Sequence, residues 1–206
     1  MQTFVPYRDF EASARVLDAK RLGKQRVEVI QIVRALTVPG YAWKSHPAVL
    51  MWQGYEEALG RYGLTMCEVW LELGFGDTCA ATISADLAAF GIPHLRAEAE
   101  LSAAGALPGW LFDPAVQRSH QSALVRKDPE FYQPRFPGVP PDIDYVWPVR
   151  SPAVVERERK KAENARLRQQ RAEQRILDEL AKARRRRSEA ARRGWKTRAA
   201  KRDAAP

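Results

Sequence analysis

The sequence predicts a mainly α-helical fold: a compact multi-helix domain with a short extended N-terminus, followed by a long basic helix or disordered tail. Three observations predict it. Apolar residues recur at helical spacing in several segments, capping residues precede several of those segments, and the last quarter consists almost throughout of helix formers. The chain has 206 residues, 45% of them hydrophobic, which suits one globular domain plus an appendage.

The first helices are predicted from residues that cap helix starts and from prolines and glycines that end helices. Residues 1–6 are predicted to be extended and to end at Pro6. Asp18 is a suitable N-cap for a helix that runs to about Leu36, because its apolar residues share one side. Two further helices are predicted at about Pro47–Tyr62 and Leu64–Leu73, with Gly63 separating them.

Proline and glycine positions define the second half of the domain. We predict the remaining helices at about Ala81–Phe90, around Ala97, from Asp113-Pro114 to about Lys127, and as a short turn at Asp128-Pro129. Six prolines between residues 134 and 152 predict extended segments laid over the core. The domain is expected to comprise residues 1–150 and the tail residues 151–206.

Charge separates the two parts of the chain. Residues 1–150 contain 15 Lys and Arg against 17 Asp and Glu, whereas residues 151–206 contain 19 against 8. The basic excess therefore lies entirely in the tail. Such a segment is typical of binding to a polyanion, because phosphate contacts release counterions. The alternative is a solvated helix that only keeps the protein in solution.

The composition also indicates which classes of protein are not expected. Cys67 and Cys79 are interpreted as reduced core thiols, and the histidines and cysteines lack the spacing of a metal site. The N-terminus does not resemble a signal peptide, and no apolar run has the length of a membrane span. We expect a cytoplasmic, nucleoid-associated protein without cofactor or metal, whose core domain is a monomer and whose partner is double-stranded DNA.

One cluster suits chemistry on a DNA backbone. Residues 20–28 carry four basic side chains followed by Glu28, which lies one helical turn after Lys24. Neighbouring cations favour an ionised carboxylate and can hold phosphates. An ordinary ion pair on a solvated helix face is the alternative interpretation.

Two further clusters are basic. One lies on the helix predicted at 114–127, and the other comprises Lys44 and His46 just before a helix start. Both can equally be polar surface, and Trp43 and Trp52 nearby are expected to belong to the core. The members of the first cluster are Arg118, Ser119, His120, Gln121, Arg126 and Lys127.

These stretches resemble the pyrimidine-dimer DNA glycosylase family of the phage endonuclease V type, and most closely a bacterial branch that opens Met-Gln-Thr-Phe-x-Pro-Tyr. The resemblance covers residues 1 to about 148. It is carried by segments 21–28, 45–75 and 119–132. The family implies a compact helical domain in which an N-terminal α-amine attacks C1′ of the damaged nucleotide, and a glutamate then assists β-elimination.

Residue by residue, the resemblance implies catalytic roles for the Met1 amine and for Glu28, which matches the family's glutamate. Arg21 stands where the family has a histidine, and His46 matches a family histidine. The second residue, Gln2, is larger than the small residue expected after the initiator methionine. The DNA-binding candidates are Gln2, Arg21, Lys24, Arg26, Lys44, His46, Arg118, His120, Gln121, Arg126 and Lys127.

Three functions follow from the sequence. The first is a DNA glycosylase/AP lyase that acts on damaged or modified pyrimidines through a Schiff base. The second is a non-catalytic DNA-binding protein of the same fold that recognises distorted DNA. The third is a protein whose tail binds RNA or an acidic partner.

Overall fold

The computed structural model describes residues 2–149 and 152–203, and the chain divides into two compact units, residues 1–151 and 152–206. Every regular element described is helical, which confirms the predicted fold class. The first unit contains α1 (Phe10–Arg15), α2 (Ala19–Thr37), α3 (Pro47–Leu50), α4 (Glu56–Glu72), α5 (Cys79–Ala89), α6 (Glu98–Ala103), a 3₁₀ turn (Gly109–Phe112), α7 (Pro114–Lys127) and α8 (Pro129–Tyr132).

Side-chain caps begin several helices where the sequence predicts them. The carboxylate of Asp18 accepts a hydrogen bond from the backbone N–H of Arg21 at 3.0 Å, and α2 starts at the next residue. Asp113 and Asp128 cap α7 and α8 in the same way, each before a proline in the first turn. These caps satisfy amide groups that lack a partner inside the helix.

The region predicted as one helix from Pro47 to Tyr62 is divided differently in the structure. Helix α3 ends at Leu50, and a turn containing Gly54, whose φ is 83°, separates it from α4. Helix α4 then continues through Gly63, which was expected to break it. A Cβ at residue 63 would lie 2.6 Å from Val29 Cγ1, so the glycine allows close helix packing here.

The core of the domain is built around α2 and α4, which pack against each other and against α5. Helix α1 packs against α4. Phe10 contacts Tyr62 edge to face with ring centroids 5.4 Å apart, and Trp52 meets Trp110 in the same geometry at 4.9 Å. These four side chains join the N-terminal region, α4 and the 3₁₀ turn into one apolar cluster.

Residues 134–149 form a strap of turns and irregular backbone along α7. Ser122 Oγ accepts a hydrogen bond from the N–H of Ile143 at 3.0 Å and donates to the carbonyl of Pro140. Ser119 Oγ accepts from the N–H of Val146 at 3.2 Å. Two buried serines of α7 therefore satisfy the backbone of a proline-rich segment that forms no regular structure.

The second unit contains a single described helix, α9 (Pro152–Asp203). At 1.5 Å per residue, its 52 residues extend over roughly 78 Å. Near its start, Glu156 forms ion pairs with Arg159 at 2.9 Å and with Lys160 at 3.6 Å. Such pairs at helical spacing support an exposed helix that has few apolar residues.

Cys67 is buried and Cys79 partly buried, and both are free thiols. No helix in the described part of the chain combines the length and the apolar character that a membrane span requires.

Candidate active site

A cavity of about 500 Å³ opens beside the first turns of α2. Its walls come from five separate parts of the chain, which meet only in the folded domain. Six of its residues are candidates predicted from the sequence, namely Gln2, Arg21, Lys24, Glu28, His46 and Lys127. Five others were not predicted as site residues, namely Phe4, Lys20, Gln25, Tyr145 and Trp147.

Glu28 provides the carboxylate of the cavity. The residue is 5% exposed, and its Oε1 lies 3.7 Å from Nζ of Lys24, whose own side chain is 71% exposed. Gln25 Nε2 donates a hydrogen bond of 2.8 Å to the other carboxylate oxygen, Oε2. One interpretation of the sequence was an ordinary ion pair on a solvated helix face. In the structure only the ammonium group of this pair is exposed, whereas the carboxylate is buried.

Gln25 is itself held in one orientation. Its Oε1 accepts a hydrogen bond of 2.8 Å from the backbone N–H of Phe4 and lies 2.9 Å from the hydroxyl of Tyr62. With its oxygen occupied in this way, the amide must present its NH₂ group to Glu28. The N-terminal segment and the acid of the cavity are thus connected through a single buried side chain.

His120 also holds the N-terminal segment in place. Its Nδ1 accepts a hydrogen bond of 3.0 Å from the N–H of Val5, and its Nε2 lies 3.0 Å from the side-chain amide of Gln2. The ring is fully buried, and burial lowers the pKa of His120 to about 3. The histidine is therefore neutral at physiological pH, and its contacts are with the protein rather than with solvent.

Aromatic rings of the strap form one wall of the cavity. Trp147 contacts His46 edge to face at 6.0 Å between centroids and Tyr145 at 5.3 Å. Burial raises the pKa of Tyr145 to about 12, so its hydroxyl keeps its proton at neutral pH. His46 Nδ1 accepts from the N–H of Ala48, and burial lowers the pKa of this histidine.

Arg21 lines the cavity but is engaged by the protein. Its Nη1 lies 3.2 Å from Asp18 Oδ2 and 3.5 Å from Asp128 Oδ2, and its Nη2 donates to the carbonyl of Lys127. It therefore joins the start of α2 to the end of α7. Lys20 and Lys127 are exposed beside it, which gives the cavity a basic rim.

Arg26 lies outside the cavity, in a buried cluster between α2 and α4. It forms an ion pair with Asp77, and its guanidinium lies 4.1 Å from the ring of Trp70. Burial alone would raise the pKa of Asp77, but hydrogen bonds from Ala80 and Cys79 and the charge of Arg26 hold it below its usual value. Arg26, a DNA-binding candidate, thus has a buried acidic partner.

Most candidates of α7 brace the fold rather than line the cavity. Arg118 donates to the carbonyl of Gly138, Gln121 to that of Pro6, and Arg126 to that of Pro141, at 3.1, 2.8 and 2.9 Å. Each of these bonds holds a connecting segment against α7. Lys44 is exposed in the turn that precedes α3.

Trp43 differs from the expectation that it belongs to the core. It is 62% exposed, whereas Trp52 is fully buried and donates from Nε1 to Thr3 Oγ1 at 2.9 Å. The expectation treated both tryptophans alike because it had no information on the turn between α2 and α3. Met1, the expected nucleophile, lies outside the described residues.

The cavity thus combines a buried glutamate, a basic rim and an aromatic wall in a helical domain. In the sequence comparison, the family model of the pyrimidine dimer DNA glycosylases matches residues 1–83. Over this segment the chain matches that family, which confirms the resemblance drawn from its motifs. No curated protein and no solved structure matches the chain.

Proposed function

We propose that this protein is a DNA glycosylase/AP lyase that acts on damaged or modified pyrimidines at the cavity around Glu28. The observation that carries the proposal is a cavity that is lined by both residue 2 and the buried carboxylate of Glu28 and is rimmed by Lys20, Lys24 and Lys127. The match of residues 1–83 to pyrimidine dimer DNA glycosylases supplies the substrate class.

The proposed reaction begins with the α-amine of Met1. An α-amine has a pKa near 8, so a substantial fraction is unprotonated at neutral pH, unlike the side chain of lysine. Its lone pair forms a bond to C1′ of the nucleotide while the glycosidic bond breaks and the base leaves with that electron pair. Loss of a proton from nitrogen and opening of the sugar ring then give the imine.

Glu28 acts in the second step. Its carboxylate removes a proton from C2′ of the imine, and the electron pair of that C–H bond moves into the new double bond as the 3′ phosphate leaves. The hydrogen bond from Gln25 fixes Oε2, while Oε1 lies 3.7 Å from Nζ of Lys24. Gln25 is therefore proposed as the positioning residue for Glu28.

Other residues of the cavity are proposed to hold the DNA. The exposed lysines contact phosphates on either side of the extruded nucleotide, where positive charge stabilises the distorted backbone. Because Nδ1 of His46 accepts from the backbone, a neutral His46 carries its proton on Nε2 and can donate it to a phosphate or sugar oxygen. The basic tail adds affinity that does not depend on sequence.

Borohydride trapping tests this function. The purified full-length chain, with its N-terminus checked by mass spectrometry, is incubated with duplexes that carry an abasic site or a pyrimidine dimer. We expect a covalent adduct with the abasic duplex, and strand cleavage without borohydride. Absence of any adduct would overturn the proposal.

Replacement of Glu28 tests the second chemical step. Glu28→Gln is expected to slow strand cleavage by about 100-fold or more, since a positioned base contributes about that factor or more, while DNA affinity stays within a few fold. Glu130→Gln is the matched control, because Glu130 is exposed and does not line the cavity. Equal cleavage by the two variants would remove Glu28 from the reaction.

A second candidate is a non-catalytic protein that recognises distorted DNA. Gln2 favours it, because the side chain next to the proposed nucleophile is larger than the small residue that the resemblance implies. This candidate predicts lesion-specific binding without a trapped adduct, so the same assay distinguishes it from the lyase.

A further inference from the structure

Trp43 lies at the tip of the turn between α2 and α3. Its side chain is 62% exposed, which is the largest exposed fraction among the large hydrophobic residues whose exposure the structure describes. A tryptophan usually buries most of its large apolar surface in a folded domain. Its exposure here calls for a physical explanation.

The backbone of Trp43 is also in an unfavourable conformation. Its φ is 72°, and among the described residues it is the only one other than glycine with a positive φ. The turn is closed by a hydrogen bond of 2.8 Å from the N–H of His46 to the carbonyl of Trp43. A bulky side chain in this region is strained, so glycine would suit the turn better than tryptophan does. Strained residues of this kind concentrate at ligand-contacting sites.

The aromatic ring continues the wall of the cavity outwards. The ring of Trp43 meets that of His46 edge to face at 5.9 Å, and His46 meets Trp147 at 6.0 Å. His46 and Trp147 line the cavity, whereas Trp43 is not part of its lining. Trp43 therefore lies next to the cavity wall as an exposed apolar surface.

The charge around this position suits DNA. Lys44, the next residue, is exposed, and Lys24 contributes an exposed ammonium group to the cavity rim. Basic groups next to an exposed aromatic ring are the combination that holds an unpaired nucleotide, with phosphate on the cations and the base on the ring.

We propose that Trp43 stacks on a base that has lost its normal stacking at the lesion, just outside the cavity that takes the reacting nucleotide. The proposal rests on the proposed action on DNA and adds a residue that distinguishes damaged from intact duplex. In an intact duplex no base face is open to Trp43, so the contact forms only where the helix is already disrupted. The turn keeps the ring of Trp43 exposed although the positive φ of this residue is strained.

Binding of the full-length chain to two duplexes tests the proposal. The duplexes have the same sequence, and one carries a stable abasic analogue that cannot be cleaved. Trp43→Gly is expected to weaken binding to the abasic duplex by roughly 5- to 150-fold, the range typical of stacking on one base. Binding to the intact duplex is expected to stay within about two-fold, and Trp43→Phe is expected to retain most of the lesion preference.

Thermal unfolding and an exposed aromatic control keep the test independent of folding. Trp43→Gly is expected to keep or raise the melting temperature, because glycine relieves the positive φ. Phe90→Ala removes a ring that is 48% exposed and does not line the cavity, and it should change neither duplex's affinity.

Each other outcome rejects the stacking role. Equal losses on both duplexes would make Trp43 a general contact, and no loss on either would remove it from DNA binding. If wild-type protein traps abasic DNA and these losses are equal or absent, only this inference fails. If wild-type protein neither traps nor prefers abasic DNA, the proposed function fails together with it.

Discussion

Gln25 Nε2 donates a hydrogen bond of 2.8 Å to Glu28 Oε2, and both side chains are almost completely buried on α2. The two residues are three positions apart, so one helical turn brings them side by side. Because Phe4 holds the other end of the amide, the orientation of the carboxylate depends on the N-terminal segment.

Gln25→Glu is expected to shift the pH dependence of strand cleavage. The variant keeps an acceptor for Phe4 but places a second carboxylate against Glu28. Two adjacent carboxylates disfavour full ionisation of the pair, so the acid limb of the cleavage profile moves upwards by about one pH unit or more. A profile that coincides with the wild-type curve would contradict the positioning role. Gln53→Glu, at an exposed position, is the control.

Asp77→Ala is expected to lower the free energy of unfolding by about 3 kcal/mol or more, because it leaves Arg26 buried without its partner and removes the acceptor of the Ala80 N–H. Asp86→Ala is the matched control, since it breaks the half-exposed pair between Asp86 and Arg34 that also joins α2 to α5, and it should cost less than about 1 kcal/mol. Urea denaturation of both variants measures the difference. Similar losses would show that burial does not distinguish the two pairs.

His120 makes the stability of the domain dependent on pH. Its folded pKa is about 3, whereas an unfolded histidine titrates near 6.5. The unfolded chain therefore binds a proton first as the pH falls, and the stability provided by the neutral ring, complete above pH 6.5, is lost towards pH 3. The slope contributed by this residue approaches about 1.4 kcal/mol per pH unit.

Replacement by a side chain that does not titrate isolates this contribution. His120→Gln is expected to lower stability at pH 7.5, since the bonds to Val5 and Gln2 are disturbed, but to flatten the loss between pH 6 and 4. His94→Gln removes an exposed histidine and should leave the slope unchanged. If the His120→Gln slope equals that of wild type, carboxylates and not His120 cause the acid sensitivity.

The tail is expected to control the salt dependence of DNA binding. Its basic excess is concentrated beyond residue 181, where eleven Lys and Arg accompany only two acidic residues. Replacing Arg184, Arg185, Arg186 and Arg187 by Gln should make the slope of log K against log salt shallower by up to about 3.6, at about 0.9 for each phosphate that is no longer neutralised.

Comparison with RNA separates the alternatives for the tail. If the slope on DNA is unchanged by the four substitutions while RNA binding falls, the tail serves the third function inferred from the sequence. Cleavage at low salt should remain, because the cavity belongs to the other unit.

Helix starts were predictable because the signal is local. Asp18, Asp113 and Asp128 cap helices through side chain to backbone bonds that span two or three residues. The division of 47–72 was not predictable from the same rules, because Gly63 is needed for close packing against Val29 across the core. A glycine that destabilises an isolated helix can allow that helix to pack closely against another in the folded domain.

Of the residues that line the cavity, several on α2 are grouped by helical spacing, and Gln2, His46 and Lys127 were candidates from the resemblance, whereas the residues of the strap were not predicted. Glu28, Lys24 and Arg21 are grouped by helical periodicity alone. Tyr145 and Trp147 reach the cavity only because Ser119 and Ser122 hold the strap on α7, which no local pattern indicates. Gln25 carried one signal, a polar residue one turn before Glu28 on the same helix.

Because the walls of the cavity come from distant segments, the proposed strand cleavage would report complete folding of the domain. A fragment that ends at residue 83 would contain Glu28, Gln25 and His46 but lack Lys127 and the aromatic wall of the strap. Neither such a fragment nor its complement would possess a closed pocket. Cleavage regained on mixing the two would therefore measure how well α7 and the strap dock without a covalent connection.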